Sequence, residues 1–236
     1  MPAYNEAEGI EQFLRELSES FSSWDCSFIV VNDCSKDQTS AVVTALKESG
    51  FPVTLMENSI NSGHGASTLN ALRAGLASGA DLVIATDGDG QFLGAQVRVI
   101  ADALISNKAD VVEGVRTSRT DPGYRKITTL TTRGFVWSKV RQLPRDANTP
   151  LRVYSSDALA RILPLLPERS MTPNLLISAV TRRGNFRFLE IPVTAIPRRG
   201  VSEVGTSWGR GSVLPSRRFI RFCAGAAKEW FTTSGR

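Results

Sequence analysis

Through about residue 115 the chain alternates short apolar runs with longer amphipathic segments, and this rhythm constrains its fold more than any other feature. Ser27-Phe28-Ile29-Val30-Val31 is apolar and β-branched, the composition of a strand buried on both faces. Before it, Ile10, Phe13, Leu14, Leu17 and Phe21 recur at helical spacing, which predicts a helix over 6–22 with Glu6 and Glu8 in an acidic first turn. The same reading gives helices over 37–48, 66–77 and 96–106 and strands over 52–57, 81–86 and 110–115. Alternation of this kind belongs to an α/β fold, a mostly parallel sheet flanked by helices.

Beyond 115 the rhythm loosens into a polar stretch over 116–126, where Asp121-Pro122-Gly123 marks a turn and the loop reads as a lid. A helix over 127–142, a strand over 151–154, a helix from Ser156, a helix over 174–183 and a strand over 186–193 follow. With no internal repeat and no linker-like tract, residues 1–212 read as one domain with halves 1–115 and 116–212, followed by a basic amphipathic helix over 213–236. That helix mixes Arg217, Arg218, Arg221 and Lys228 with Phe219, Ile220, Phe222, Trp230 and Phe231. It reads equally as a membrane-interface helix or as a terminal helix docked on its own domain.

Composition narrows the classes. In 236 residues, 42% hydrophobic and 22% charged, there is no disordered, collagen-like or disulfide-framework chain. Net charge is +5, from 28 Lys and Arg against 23 Asp and Glu, which favours an anionic partner: nucleic acid, membrane surface or phosphate. Cys26, Cys34 and Cys223 have neither zinc-site nor disulfide spacing, so a reducing, cytoplasmic setting fits. The N-terminus lacks the pattern of a secretory signal, and no run reaches the roughly 18 apolar residues of a membrane span. His64 is the sole histidine, which excludes a histidine-centred triad and a multi-histidine metal site.

Chemistry concentrates in Leu82-Val83-Ile84-Ala85-Thr86-Asp87-Gly88-Asp89-Gly90-Gln91, an apolar strand ending in two carboxylates one glycine apart. In open α/β sheets ligands bind at the carboxyl ends of strands. Asp87 and Asp89 are hard oxygen ligands suited to Mg²⁺ or Mn²⁺, ions that complete their shells with water and substrate phosphates. The competing reading is a solvated acidic turn. Asn32-Asp33-Cys34-Ser35 and residues 58–65 follow the two preceding strands, so three polar loops converge on one sheet edge. Asp37 and Thr39 read as helix caps.

Four segments, Pro2-Ala3-Tyr4-Asn5-Glu6, Val31-Asn32-Asp33-Cys34-Ser35-Lys36-Asp37-Gln38-Thr39, Asn61-Ser62-Gly63-His64-Gly65-Ala66 and Asp87-Gly88-Asp89-Gly90-Gln91, occur in an order and spacing that resembles the family 2 glycosyltransferases. Within that family the chain looks most like the dolichol- and polyprenyl-phosphate sugar synthases, over most of residues 1–200. The resemblance implies a GT-A fold, a UDP- or GDP-linked sugar donor, a divalent cation (Mg²⁺ or Mn²⁺) and inverting transfer to a polyprenyl phosphate, without nucleic acid. It implies that Pro2, Tyr4, Glu6 and Asp87 contact the nucleotide, that Asp33 reads the base, and that Asp87, Asp89 and Gln91 hold metal and diphosphate. Arg116 matches the arginine of the family's Gly-Ser-Arg, while Arg125 with Thr129 resembles its Arg-x-x-x-Ser. Asp146 and Arg152 resemble a later element. Arg116, Arg125, Thr129 and Arg152 are therefore expected at the acceptor phosphate, and Asp89, Arg116 and Arg125 as the catalytic set. The first half becomes the nucleotide and metal half, the second the acceptor half, and the terminal helix a peripheral contact with the cytoplasmic face of a membrane.

The chemistry of the residues agrees. No histidine or clearly placed acid stands where transferases to sugar hydroxyls keep a base; a phosphate acceptor is already ionised and needs none. It needs cations, and Lys126 and Arg133 join the arginines above as candidates. There are departures: Asn32 replaces the usual first aspartate, Pro150 the glycine before the later element, and in Pro197-Arg198-Arg199-Gly200-Val201-Ser202 the arginine is displaced, with Glu203 where lysine is common. The family also places an apolar strand directly before its Pro-Ala-Tyr-Asn-Glu, whereas this sequence starts at Met1-Pro2, which predicts a gap in the sheet with unpaired backbone groups. Rival readings are transfer to a non-lipid hydroxyl, a dinucleotide oxidoreductase built on Gly63-His64-Gly65 but with Thr68 at the third glycine, a phosphatase with Asp87 as nucleophile, and a basic adaptor.

Overall fold

The computed structural model describes residues 1–117, 134, 136–137, 140–200 and 217–233, without the side chains of 217–223 and 233. Strands β1 (Pro2–Ala3), β2 (Phe28–Asn32) and β3 (Val53–Glu57) form a parallel sheet in that order. Strands β4 (Leu82–Ala85), β5 (Val111–Arg116), β6 (Arg152–Ser155) and β7 (Phe188–Val193) form a second, in the order β4-β6-β5-β7. β7 runs parallel to β5, but β6 is antiparallel to both its neighbours. The helices are α1 (Ile10–Ser20), α2 (Thr39–Glu48), α3 (His64–Ala77), α4 (Gly94–Ser106), α5 (Ser156–Ile162), α6 (Pro173–Arg183) and α7 (Arg217–Thr233).

Strand periodicity divides the core in two, because successive side chains point to opposite faces. Val112 and Val153 join α1 and α4, where Phe13, Leu14, Val97 and Ile100 are buried. Their neighbours Val111 and Tyr154 join α3, α5 and α6, through Leu69, Leu159 and Ile177.

Two helices start later than their periodicity predicts, for one reason. The N–H groups of Glu6 and Ala7 donate to Thr39 Oγ1 (2.9 Å) and Asp37 Oδ2 (3.0 Å), which holds the chain out of helix until Ile10. Asp37 Oδ1 also accepts from Thr39 N–H at 3.0 Å, so Asp37, one residue before the α2 N-cap Gln38, ties the start of that helix to the loop before α1, while Thr39, expected as a cap, is its first helical residue. The helix predicted over 127–142 falls largely outside the described residues, although Gly134, Val136, Trp137 and Val140 are helical. In the last turns of α7, Trp230 is buried in the second core and Glu229 accepts from Met171 N–H (3.1 Å) and Thr172 Oγ1 (3.2 Å), so this end is docked on the domain. Among the described residues no helix is long and apolar enough to cross a membrane.

β1 is only two residues long, and behind it β2 and β4 lie apart. A cavity of about 880 Å³ separates them, lined by Phe28 and Ile29 of β2, Leu82 and Ile84 of β4, Leu17 of α1 and Gly75 of α3. The cavity lies in the sheet where a gap is expected from the sequence. The Met1 amino group stands at its head and donates to Ile29 O at 2.6 Å, and burial pulls its pKa down to about 5.

One buried charge cluster fixes the second sheet. Glu113 on β5 is fully buried between Arg182 Nη2 (2.8 Å) and Arg152 Nε (3.3 Å), and Arg182 also reaches Glu190 at 2.7 Å. Removing one partner of such a cluster leaves uncompensated charge in the interior. Glu113→Ala is expected to destabilise the protein by about 3–5 kcal/mol, read as a lower urea midpoint at unchanged slope.

Candidate active site

The carboxyl ends of β1, β2, β3 and β4 open on one edge, and the loops that leave them are bound to one another. Asn5, after β1, sits in the left-handed region at φ 56°, which asparagine tolerates better than most residues. Its Oδ1 accepts from Lys36 N–H (2.8 Å) and its N–H donates to Ser35 Oγ (3.0 Å), which locks the first loop to the second. Asp33, after β2, is buried, and its carboxylate accepts from the N–H groups of Ser62 (2.8 Å) and Gly63 (2.9 Å) and from Asn58 Nδ2 (2.9 Å). Asp33 thus holds the third loop in place, and both its oxygens are engaged in doing so. The same bonds occupy the amides that a dinucleotide's pyrophosphate would use at the start of α3, which counts against the oxidoreductase reading.

Asp87 and Asp89 follow β4. Gly88 between them lies against β1, where a Cβ would stand 3.0 Å from Pro2 O, and its N–H donates to that oxygen at 3.0 Å. Gly90 turns the loop at φ 66°, a conformation that favours glycine. Asp89 Oδ1 accepts from Gln91 N–H at 3.2 Å. Burial, then the charge of Asp87, pushes the Asp89 pKa up to about 7. Glu6 is raised to about 8, first by burial, while Arg198 opposes the shift and Asp89 adds to it. His64 Nε2 lies 3.5 Å from Asp87 Oδ1. Acids held this close in partial burial are short of positive charge, and this donor set fits a divalent cation. Among the described residues no three His, Cys, Asp or Glu side chains group into a metal site. Asp87 and Asp89 would therefore hold such an ion only in part, leaving positions for water and phosphate.

The expected site residues divide. Pro2, Tyr4, Glu6, Asp33, Asp87, Asp89 and Gln91 are brought to this one edge by β1, β2 and β4. Gln91 turns its Nε2 to Ile196 O at 3.4 Å, so its amide joins the loop to the segment after β7. Arg116, at the end of β5, donates to both oxygens of Asp146 (2.7 and 3.0 Å) and to Asn148 O (3.1 Å). Arg125 and Thr129, with Lys126 and Arg133, lie outside the described residues. The acceptor role expected of Arg152 is corrected: the side chain is fully buried, donating to Asn174 O (2.8 Å) and Ala147 O (3.1 Å) beside Glu113. A guanidinium with no exposed surface cannot grip a substrate phosphate.

Two arginines without an assigned role reach the acid cluster from the segment after β7. Arg198 pairs with Glu6 (2.7 Å) and donates to Asn5 O (2.8 Å). Arg199 pairs with Glu16 and donates to Gly90 O at 3.0 Å, and its N–H donates to Asp89 O at 3.0 Å. Their signal in the sequence is two arginines before Gly200, directly beyond the last strand.

Known proteins resemble this chain in sequence and in fold. The model of the family described as "Glycosyl transferase family 2" matches residues 1–161. The chain is similar to an undecaprenyl-phosphate mannosyltransferase of Micrococcus luteus, 26% identical over 91% of this chain and 87% of that protein. It is also similar to a UDP-N-acetylglucosamine–dolichyl-phosphate N-acetylglucosaminyltransferase of Methanococcus voltae, 22% identical over 83% of this chain and 84% of that protein. Among solved structures, the glucosyl-3-phosphoglycerate synthase of Mycobacterium tuberculosis superposes over 99% of this chain and 78% of its own at a TM-score of 0.69 and 17% identity. Its complex with Mn²⁺, UDP and glucosyl-3-phosphoglycerate has a TM-score of 0.66 at 18% identity, with the same shares of both chains. The fold is GT-A.

Two outcomes follow from the acid loop. Gly90→Ala is strained at positive φ and places its methyl about 2.6 Å from Arg199 Cδ, so it is expected to weaken nucleotide-diphosphate binding by about tenfold or more, measured by calorimetry, with the fold retained. Without metal, Asp89 holds its proton up to about pH 7, whereas in the unfolded chain it loses it near 3.8. The folded state then binds more protons across that window, so this residue's contribution to stability falls as pH rises from about 4 to 7. Asp89→Asn is expected to raise the urea midpoint of the metal-free protein at pH 8 and to leave it nearly unchanged at pH 4.

Proposed function

Because the chain belongs to glycosyl transferase family 2, we propose that it moves a sugar from a UDP- or GDP-linked donor to a polyprenyl phosphate. The observation that carries the acceptor class is the pairing of Arg116 with Asp146. The carboxylate at the acceptor end of β5 is held by a two-pronged guanidinium and is not free to take a proton from a hydroxyl. An ionised phosphate needs no such base. The relatives named as acting on undecaprenyl phosphate and dolichyl phosphate support the same class.

In this reading Asp87 and Asp89 hold the cation, which when bound offsets the charge that develops on the departing nucleoside diphosphate. Manganese in the neighbouring complexes supports a divalent ion. Glu6 and the backbone of Pro2–Ala3 form the nucleotide side of the cleft, and Arg198 holds Glu6 there. Arg116 would meet the acceptor phosphate, and Arg125 and Thr129, which lie outside the described residues, are assigned to the same phosphate on the family resemblance alone. A lipid acceptor brings the reaction to a membrane surface, where Arg217, Arg218 and Arg221 at the start of α7 would meet anionic headgroups.

The test is direct: the protein with Mn²⁺, UDP- and GDP-sugars and a polyprenyl phosphate should yield a lipid-linked sugar, and Asp89→Ala should lower the rate by about 10²-fold or more. Transfer to a soluble hydroxyl acceptor in preference to the lipid phosphate would overturn the acceptor assignment.

A further inference from the structure

Helix α4 begins without a cap of its own. Leu93, the residue before it, has no side-chain oxygen to accept from the first N–H groups, and those donors stay orphaned unless another group meets them. A carboxylate from a different helix meets the first. Glu16, in the second half of α1, accepts from Gly94 N–H through Oε1 at 2.6 Å, and negative charge at a helix N-terminus is favourable in its own right. Gly94 makes the approach possible, because a Cβ there would stand 2.4 Å from Ser20 Oγ and 2.9 Å from Glu16 O.

The second oxygen of the same carboxylate faces a different partner. Oε2 accepts from Arg199 Nη2, and another nitrogen of that guanidinium, Nε, donates to Gly90 O at 3.0 Å. Arg199 N–H donates to Asp89 O at 3.0 Å, and the guanidinium lies over the Phe13 ring, 5.4 Å from its centroid. The acid loop is thus held at both ends by one side chain, at Gly94 directly and at Gly90 through Arg199. Between these points Gln91 O accepts from Ile196 N–H at 2.9 Å, which keeps the segment after β7 alongside the loop. Both oxygens of Glu16 are engaged in these bonds, so it acts through the loop and not on a ligand.

We propose that Glu16 is a positioning residue for the acid loop, which fixes the Asp89 carboxylate in place before a cation and a diphosphate arrive. The loop needs such a clamp for two physical reasons. Gly88 and Gly90 make its backbone permissive, and glycine loses more conformational freedom on ordering than any other residue. Asp87 and Asp89 also repel one another until a cation neutralises them. A clamp that binds the backbone at Gly90 and Gly94 resists that repulsion without competing for the ligand. Its own charge adds little to the acid cluster, because Arg199 lies in direct ion-pair contact with it. The inference rests on the donor reading above for the identity of the ligand, whereas the bonds that make the clamp do not depend on it.

The experiment measures Mn²⁺-dependent binding of UDP and GDP by calorimetry, together with hydrogen exchange at the Gln91 and Ile196 amides, in the full chain and its variants. Glu16→Ala and Arg199→Ala are each expected to weaken binding about tenfold and to speed exchange at both amides about tenfold. Glu16→Gln keeps an acceptor for Gly94 N–H but loses the charge that faces Arg199, and is expected to fall between Glu16→Ala and the unaltered protein. The double variant of Glu16→Ala with Arg199→Ala is expected to bind within about threefold of the weaker single one, because both changes open the same clamp. Arg98→Ala is the control. Arg98 Nη1 also ties α4 to α1, through Ser20 O at 3.2 Å, but its other bonds go to Ser23 and Asp102, so binding and exchange are expected to stay unchanged. Unchanged binding in Glu16→Ala, an additive loss of about a hundredfold in the double variant, or an equal loss in Arg98→Ala would overturn the proposal. If the unaltered protein binds neither nucleotide, the donor reading fails and exchange alone decides the clamp: acceleration in Glu16→Ala but not in Arg98→Ala supports it, and equal rates overturn it.

Discussion

Three backbone hydrogen bonds made by Met1–Ala3 set the geometry of the edge that carries the candidate site. Val31 N–H to Met1 O and Asp33 N–H to Ala3 O fix this short segment on the nucleotide-side sheet, while Gly88 N–H to Pro2 O fixes it on the acid loop. The distance between the β2 loop and the carboxylate pair is therefore one strand's width. The glycine between the two aspartates owes its place to the same contact, since a side chain there would press on Pro2 O. The left-handed Asn5 follows in turn, because the chain must leave β1 and bond at once to Ser35 and Lys36. Strain of that order persists only where surrounding bonds over-determine it, and here they do.

Electrostatics divide the site into two unequal halves. At the edge formed by β1 and β4, Glu6, Asp87 and Asp89 are gathered with Arg198 as an ion-pair partner to Glu6, and the raised values of Glu6 and Asp89 record the imbalance. A cation with phosphate oxygens would correct it, so ligand binding and charge neutralisation are the same event there. At the end of β5, by contrast, Arg116 and Asp146 already satisfy one another. Any anion that approached Arg116 would have to compete with that carboxylate.

Local signals made much of this legible in the sequence. β2, β3 and β4 carry strand composition in short runs, α1 and α4 carry unbroken helical periodicity, and the acid pair stands where a strand visibly ends. The direction of β6 was not legible, because strand direction in a sheet is decided by tertiary partners and β6 found antiparallel places beside β4 and β5. Arg152 shows the corresponding difficulty for a side chain. Its motif resembles an acceptor element, yet Glu113, Ala147 and Asn174 surround it in the interior, and no local pattern distinguishes that arginine from one facing solvent. Asp33 was found at its strand end, but its bonds to Ser62 and Gly63 depend on how another loop folds back.

The net charge of +5 takes a different meaning once partners are known. Arg116, Arg152, Arg182, Arg198 and Arg199 are each paired with a carboxylate, and Arg152 and Arg182 are buried outright. These five contribute to the arithmetic while presenting little field to a distant polyanion, since each lies in direct ion-pair contact with a compensating charge. A broad nucleic-acid surface would need unpaired cations spread along one face. Arg198 and Arg199 instead brace the acid cluster at the sheet edge, Arg116 pairs with Asp146, and Arg152 and Arg182 neutralise Glu113 in the interior.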